Sequence, residues 1–467
     1  MNYKELQNIW TKKYEVVSPQ LKKVKKIAGV ATAFNANIDA VLKINGKQIE
    51  KLLREYNLTL SDLQNKDENS LNKPQDVLRE IVKCFSRGIA EERVTENIDI
   101  YQWLSKNLGY QRLQMGGQGG IIANTMALLG IQKVVVHTNS HPRQQAELFL
   151  NLDNLWGLNE QGELEKAYDI SRSKDTPMIH WIIEFDKGDS FTYDGRTFTC
   201  PKSNRFIATY DPLNTNLVID SHFKTYIQKN TVNYLILSGF HPLLEEKNGK
   251  QLIKNAAKDI KKWQKYNPNM IIHLEIASTQ DKVIRKEIIK KIAPLMHSAG
   301  LNERETIDLL EVMGQKKLAR KIEQKTSAIN LFEALWFIKE KINLPRIQLH
   351  MFGLYLTIQD DRYPFSAEQN LKGMMTAAIV SSSKALTGAL DKYKNIYKTI
   401  SCPVSEVGIK ELEQLATKLN KPELLQKGWC TIGDYKISAI PTILIDKPKT
   451  LVGMGDTISS VSLVAGQ

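Results

Sequence analysis

Along this chain, short apolar runs alternate with longer stretches whose apolar positions recur at helical spacing. The β-prone runs cover residues 27–32, 133–138, 178–185, 234–239, 270–277 and 346–357. They are apolar almost throughout, which predicts strands covered on both faces. Between several of them the period lengthens to that of a helix, as where Ile284, Ile288, Ile289 and Ile292 stand on a Lys/Glu-rich background. Strands alternating with helices predict an α/β fold with a doubly wound core. Two regions break the rhythm. Residues from about 40 to 110 are polar and helix-like. The span from about 177 to 210 reads as a hairpin: an apolar strand, the turn Asp186-Lys187-Gly188-Asp189-Ser190, then Phe191-Thr192-Tyr193.

The bulk numbers narrow the function classes. A chain of 467 residues, 42% hydrophobic and 25% charged, is long enough for one large domain and a smaller one. No apolar run approaches the ~18–20 residues of a membrane helix, and no signal-peptide core follows Met1-Asn2-Tyr3-Lys4-Glu5. The four cysteines (Cys84, Cys200, Cys402 and Cys430) stand far apart, suiting neither a zinc site nor a disulfide framework. These features predict a cytoplasmic protein. The net charge of +13 suits anionic ligands. Its lysines are scattered, as in Lys22-Lys23-Val24-Lys25-Lys26, without a basic tail or aromatic–basic alternation, so a solvated surface is favoured over a nucleic-acid interface.

Candidate chemistry is sharpest near the end of the chain, at Gly453-Met454-Gly455-Asp456-Thr457. The glycines permit a tight turn, and the small and apolar run 457–465 predicts a helix. A helix start with free N–H donors attracts anions. A carboxylate beside it is placed to take a proton from a hydroxyl while negative charge is steadied on a transferring group. Just after the first predicted strand, Asn37 and Asp39 offer an amide and a carboxylate to a polyol, or else cap a turn. Met115-Gly116-Gly117-Gln118-Gly119-Gly120 precedes a convincing helix but lacks the Gly-Lys-Ser/Thr ending of a P-loop. In the run 270–277, His273 and Glu275 share a strand face, as a magnesium site or as a buried structural pair. Ser298-Ala299-Gly300-Leu301-Asn302-Glu303 offers a second amide and carboxylate on a nucleotide side. Lys187, Lys202 and Arg205 form a basic set around the hairpin, with Arg205 suited to a bidentate phosphate contact.

Taken in order, these segments closely resemble the archaeal ADP-dependent sugar kinases, glucokinase and phosphofructokinase, of the ribokinase superfamily. The motifs are Asn35-Ala36-Asn37-Ile38-Asp39, Met115-Gly116-Gly117-Gln118, Asn204-Arg205-Phe206-Ile207, His273-Leu274-Glu275, Gly300-Leu301-Asn302-Glu303 and Gly453-Met454-Gly455-Asp456-Thr457. The resemblance implies a ribokinase-like core with a smaller lid. The large nucleotide-binding domain would comprise residues 1–34, 111–170 and 210–467, and the lid about 35–110 and 171–209. Asp456 would be the general base, with the backbone of Gly453, Met454 and Gly455 as the anion hole and Arg205 on a phosphate. Asn37, Asp39, Gly117 and Gln118 would hold the sugar. Asn302 and Glu303 would face the nucleotide, and His273, Glu275, Glu303 and Asp456 would surround Mg²⁺, with ADP as co-substrate. Other expected partners are small molecules only, with no nucleic acid or membrane, in a monomer or small homo-oligomer.

The chain departs from the family pattern at Arg87-Gly88-Ile89-Ala90-Glu91-Glu92, where either acid stands for the one that touches the sugar. His350-Met351-Phe352-Gly353 is a looser version of a His-rich stretch. Fructose 6-phosphate needs cations, which Lys187, Lys202 and Arg205 offer; glucose needs an acid and an imidazole, which Glu92 and His180 offer. The denser basic set favours phosphofructokinase, with glucokinase, a bifunctional enzyme or an ATP-using relative as alternatives.

Overall fold

Five of the six apolar runs lie in one large sheet, and the run 178–185 lies in a smaller one. In the computed structural model, which describes residues 2–17, 20–64, 71–279 and 281–467, Val30–Ala33 lies parallel to Tyr234–Leu237 on one side and Val134–Val136 on the other. The parallel core continues through Ile271–Glu275, Ser298–Leu301 and Arg346–Met351 in one direction, and to Leu155–Leu158 in the other. Tyr234–Leu237 and Val134–Val136 are apolar and buried at every position, as strands covered on both faces are. Antiparallel strands finish both edges of this eleven-stranded sheet. The run 346–357, expected as one strand, is two. Gly353 has a φ of 84°, and Leu354–Gln359 folds back against Arg346–Met351.

Three helices then lie together against this sheet: Gln118–Leu128, Ala367–Thr387 and Met454–Ala465. The last begins three residues before the expected start at 457, so the glycine turn is already its first turn. No helix among the described residues is long and apolar enough to cross a membrane.

A second sheet of five strands has its own hydrophobic core. Its order is Glu91–Thr95, Asn204–Tyr210, Ile179–Phe185, Asn37–Lys43, Arg112–Gly116. Here the alternation is strict. Ile38, Ala40 and Leu42 point into the core with Ile179, Trp181, Ile183, Phe206 and Ala208. The residues between them (Asp39, Val41, His180, Ile182, Arg205 and Ile207) line a cleft on the other face. Two expectations are corrected by this sheet. Ile179–Phe185 pairs with Asn204–Tyr210, while the hairpin is Ser190–Tyr193 with Arg196–Thr199. Its turn is Asp194-Gly195, with φ of 45° and 76°, the pair that a two-residue hairpin turn prefers. Arg112–Gly116, assigned by the sequence division to the large unit, is hydrogen-bonded into this smaller sheet along Asn37–Val41.

Phe206 is fully buried between two residues that face the cleft. Phe206→Ala is expected to destabilise the protein by about 3–5 kcal/mol, read as a lower denaturant midpoint in urea unfolding.

Candidate active site

The large sheet grows from Val30–Ala33 first towards Val134–Val136, then away from it through Tyr234–Leu237. Such a reversal leaves a crevice beyond the carboxyl ends of the strands. A cleft of about 400 Å³ lies there. Asn35, His241, Ala277, Gly453 and Asp456 line it from the large sheet and its helices, and the polar face of the five-stranded sheet covers it.

Gly453 initiates the helix Met454–Ala465 in the left-handed region, at φ 60°, with no side chain capping the helix start. A Cβ at this position would also lie 2.8 Å from Ile121 Cγ2. The first-turn N–H groups thus meet the cleft in the manner of an anion site. Asp456 is buried, and its Oδ1 accepts a hydrogen bond from Gln118 Nε2 at 3.0 Å. Burial raises its pKa; the Gln118 bond and the charge of Lys384 pull it back. Lys384, which the sequence reading did not single out, donates from Nζ to the Gly453 carbonyl at 3.1 Å and to Thr457 Oγ1 at 3.2 Å. Burial lowers it to about 8 against the opposing pull of Asp456. Its sequence signal was a single cation after Ser381-Ser382-Ser383, in a stretch of small and apolar residues.

On the covering sheet, Asn37 Nδ2 donates to Asp39 Oδ1 at 3.0 Å. Asn37 Oδ1 and Gln118 Oε1 are buried with no hydrogen-bond partner in the described structure. Such orphaned acceptors call for donors, and the hydroxyls of a sugar would supply them. Burial raises the Asp39 pKa against the lowering influence of His180, Asn37 and Gln114. His180 Nε2 bonds Asp211 Oδ2 at 3.0 Å. Burial opposes charge on this imidazole, but the Asp211 hydrogen bond and the charges of Asp211, Glu92 and Asp39 outweigh it and carry the pKa to about 9. Glu92 lines the cleft and accepts from Thr209 Oγ1 at 2.6 Å. Gly117 lies beside Gln118, and Arg205 joins Arg112 on the lining. Apolar neighbours do not bury Arg205, because strand alternation sends Phe206 to the opposite face. Lys187 is not part of this lining: it is exposed in the turn after Phe185, where its backbone N–H meets Ser203 Oγ.

The proposed metal set does not converge. His273 and Glu275 share a face as expected, with His273 Nε2 3.3 Å from Glu275 Oε2. His273 is fully buried, however, and burial together with Arg346 and His350 holds its pKa well below the usual histidine range. It therefore buttresses Glu275 from behind. Glu303 Oε1 accepts the Phe352 N–H at 2.8 Å, and Asn302 caps the helix Glu303–Val312 in a reciprocal bond with Glu305. Neither Asn302 nor Glu303 lines the cleft. The acid that lies with Glu275 and Asp456 is Glu305, raised to about 8 by burial and then by Asp456 and other acids. Its signal was the Asn-x-x-Glu spacing of a capping box. Among the described residues no three His, Cys, Asp or Glu groups could hold an ion by themselves. After burial, the charges of Asp456 and Glu305 raise the Glu275 pKa, and acids so placed suit a hard divalent ion only where water and phosphate oxygens supply the remaining ligands.

The His180–Asp211 pair predicts a pH dependence. The histidine pKa is raised from an ordinary ~6.5, so its stabilisation is full below that value and is lost as pH rises through about 9. Asp211→Asn should therefore cost more stability at pH 6 than at pH 10, seen as a gap between urea midpoints that narrows with pH.

Residues 28–465 match the family model described as the ADP-specific phosphofructokinase/glucokinase conserved region. The ADP-specific phosphofructokinase of Methanosarcina acetivorans is 29% identical over 458 residues, covering 94% of this chain and 92% of that protein. The ADP-dependent glucose/glucosamine kinase of Pyrococcus abyssi is 31% identical over 452 residues, covering 95% and 96%. A solved ADP-dependent kinase in complex with fructose 6-phosphate and ADPβS is 29% identical and superposes with a TM-score of 0.81, over 100% of this chain and 98% of that one. The chain therefore belongs to the ADP-specific phosphofructokinase/glucokinase family.

Proposed function

We propose that this protein transfers the β-phosphoryl group of ADP to fructose 6-phosphate, giving fructose 1,6-bisphosphate and AMP. The observation that carries the reading is Asp456 at an uncapped helix start, facing a polar sheet with two arginines on it. The Asp456 carboxylate takes the proton of the sugar hydroxyl as that oxygen attacks phosphorus. The N–H groups that follow Gly453 hold the transferring group, whose charge shifts from ADP to product. Asn37, Asp39 and Gln118 orient the sugar hydroxyls. Glu275 and Glu305 would hold Mg²⁺, which when bound neutralises phosphate charge. The five-stranded sheet and its helices act as a lid, and closure removes water from the reacting groups.

Arg112 and Arg205 support a phosphorylated sugar, since guanidinium groups match phosphate oxygens. Arg112 takes the part expected of Lys187, which stands outside the cleft. A second reading, glucokinase or a bifunctional enzyme, is favoured by Glu92 and His180, both on the same lining. AMP release from Mg-ADP with fructose 6-phosphate and with glucose, and with ATP as control donor, separates them. Fructose 6-phosphate alone supporting AMP release fits the first reading, glucose the second, and activity with ATP only neither. Asp456→Ala should lower turnover by about 10²–10⁴-fold while nucleotide binding survives. Arg112→Ala and Arg205→Ala should each raise KM for fructose 6-phosphate by about tenfold or more and leave KM for glucose within about threefold.

A further inference from the structure

Lys384 stands on the helix Ala367–Thr387, which packs along Met454–Ala465. Its ammonium group is committed to the start of the neighbouring helix. The Gly453 carbonyl accepts the Thr457 N–H at 3.1 Å, the Thr457 hydroxyl at 2.8 Å and Lys384 Nζ at 3.1 Å. Lys384 also reaches the Thr457 oxygen itself at 3.2 Å. Lysine, glycine carbonyl and threonine hydroxyl thus tie off both ends of the turn that contains Asp456. A glycine at φ 60° supplies little stiffness of its own, so the shape of this turn depends on what its carbonyl is bonded to. Arg112 and Arg205 stand on the opposing sheet. Lys384 belongs to the same helical layer as Asp456.

From this geometry we infer that Lys384 is a positioning residue for phosphoryl transfer, which fixes the Gly453–Asp456 turn through the Gly453 carbonyl and Thr457 hydroxyl and sets a positive charge behind its N–H groups. The inference rests on the kinase reading but is separable from it. Lys384 is not part of the cleft lining. Its loss should act on kcat, because a loosened turn still binds sugar on the opposing sheet but no longer presents base and N–H groups together.

The test compares wild type, Lys384→Ala and Lys384→Arg by AMP release and by hydrogen exchange of the peptide 453–460. Lys384→Ala should lose kcat by about 10–100-fold, the range of one lost charged hydrogen bond, with KM for the sugar within about threefold. Lys384→Arg, or methylammonium added to Lys384→Ala, should restore a substantial part, with sodium chloride of equal ionic strength as the blank. A kcat within threefold of wild type, or a loss that neither restores, overturns the inference. If wild type itself releases no AMP, the kinase reading falls and exchange alone decides. Faster exchange of 453–460 in Lys384→Ala, reversed in Lys384→Arg, upholds the anchor; unchanged exchange removes it. Should Lys384→Ala fail to fold, Thr457→Val replaces it, and wild-type kcat in that variant counts against the inference.

Discussion

The hydrogen bond from Gln118 Nε2 to Asp456 Oδ1 spans 338 positions of the chain, and the site is organised around it. Gln118 is the first residue of a helix on the large sheet, and Gly116, two residues earlier, still belongs to the smaller sheet. Gly117, at φ 71°, makes the passage between them. Asp456 stands in the first turn of the last helix. One short contact therefore brings the junction of the two sheets to the base that the proposed chemistry needs. A hydrogen bond to a charged group contributes about 1.5–3 kcal/mol, and here it also opposes the burial that would protonate the carboxylate. Without it, only the charge of Lys384 would oppose the burial of Asp456.

Charge is sorted across the cleft. Asp456 lines the large-sheet side, and behind it lie Glu275 and Glu305, whose pKa values are raised by burial and then by the Asp456 charge. Arg112 and Arg205 occupy the opposing sheet, and the His180 imidazolium lies with Asp39 and Glu92. Two anionic substrates would meet a preset pattern of field rather than a uniformly basic surface. The net charge of +13 describes the exterior and says little about this interior.

Much of the fold was legible because each core strand writes its environment locally. Residues 234–237 are apolar on both faces and could hardly lie anywhere but in a covered sheet. The glycine turns and the Asn37/Asp39 pair were legible for a similar reason, since unusual backbone demands unusual residues. What stayed hidden was pairing between distant segments. Nothing near Lys384 announces Gly453, and nothing near His180 announces Asp211. The metal set failed for a subtler reason. Strand alternation correctly placed His273 and Glu275 on one face, but which of the two lies nearer the cleft is a matter of depth, and depth is not written in periodicity. Glu303 and Glu305 differ by two positions on a helix; only the cap geometry decides which carboxylate turns inward.

The two sheets keep separate hydrophobic cores, and the residues that face the cleft stand on elements packed on both. The proposed base and its helix turn are carried by one core, and most of the side chains proposed to recognise the sugar are carried by the other. Every second residue of strands such as Ile179–Phe185 and Asn204–Tyr210 can change without altering what lies beneath it. Acceptor preference can therefore drift by surface substitutions on a single sheet, while the phosphoryl-transfer apparatus is inherited intact. A lineage built this way can exchange one sugar for another in small steps, each intermediate still folded and still a kinase.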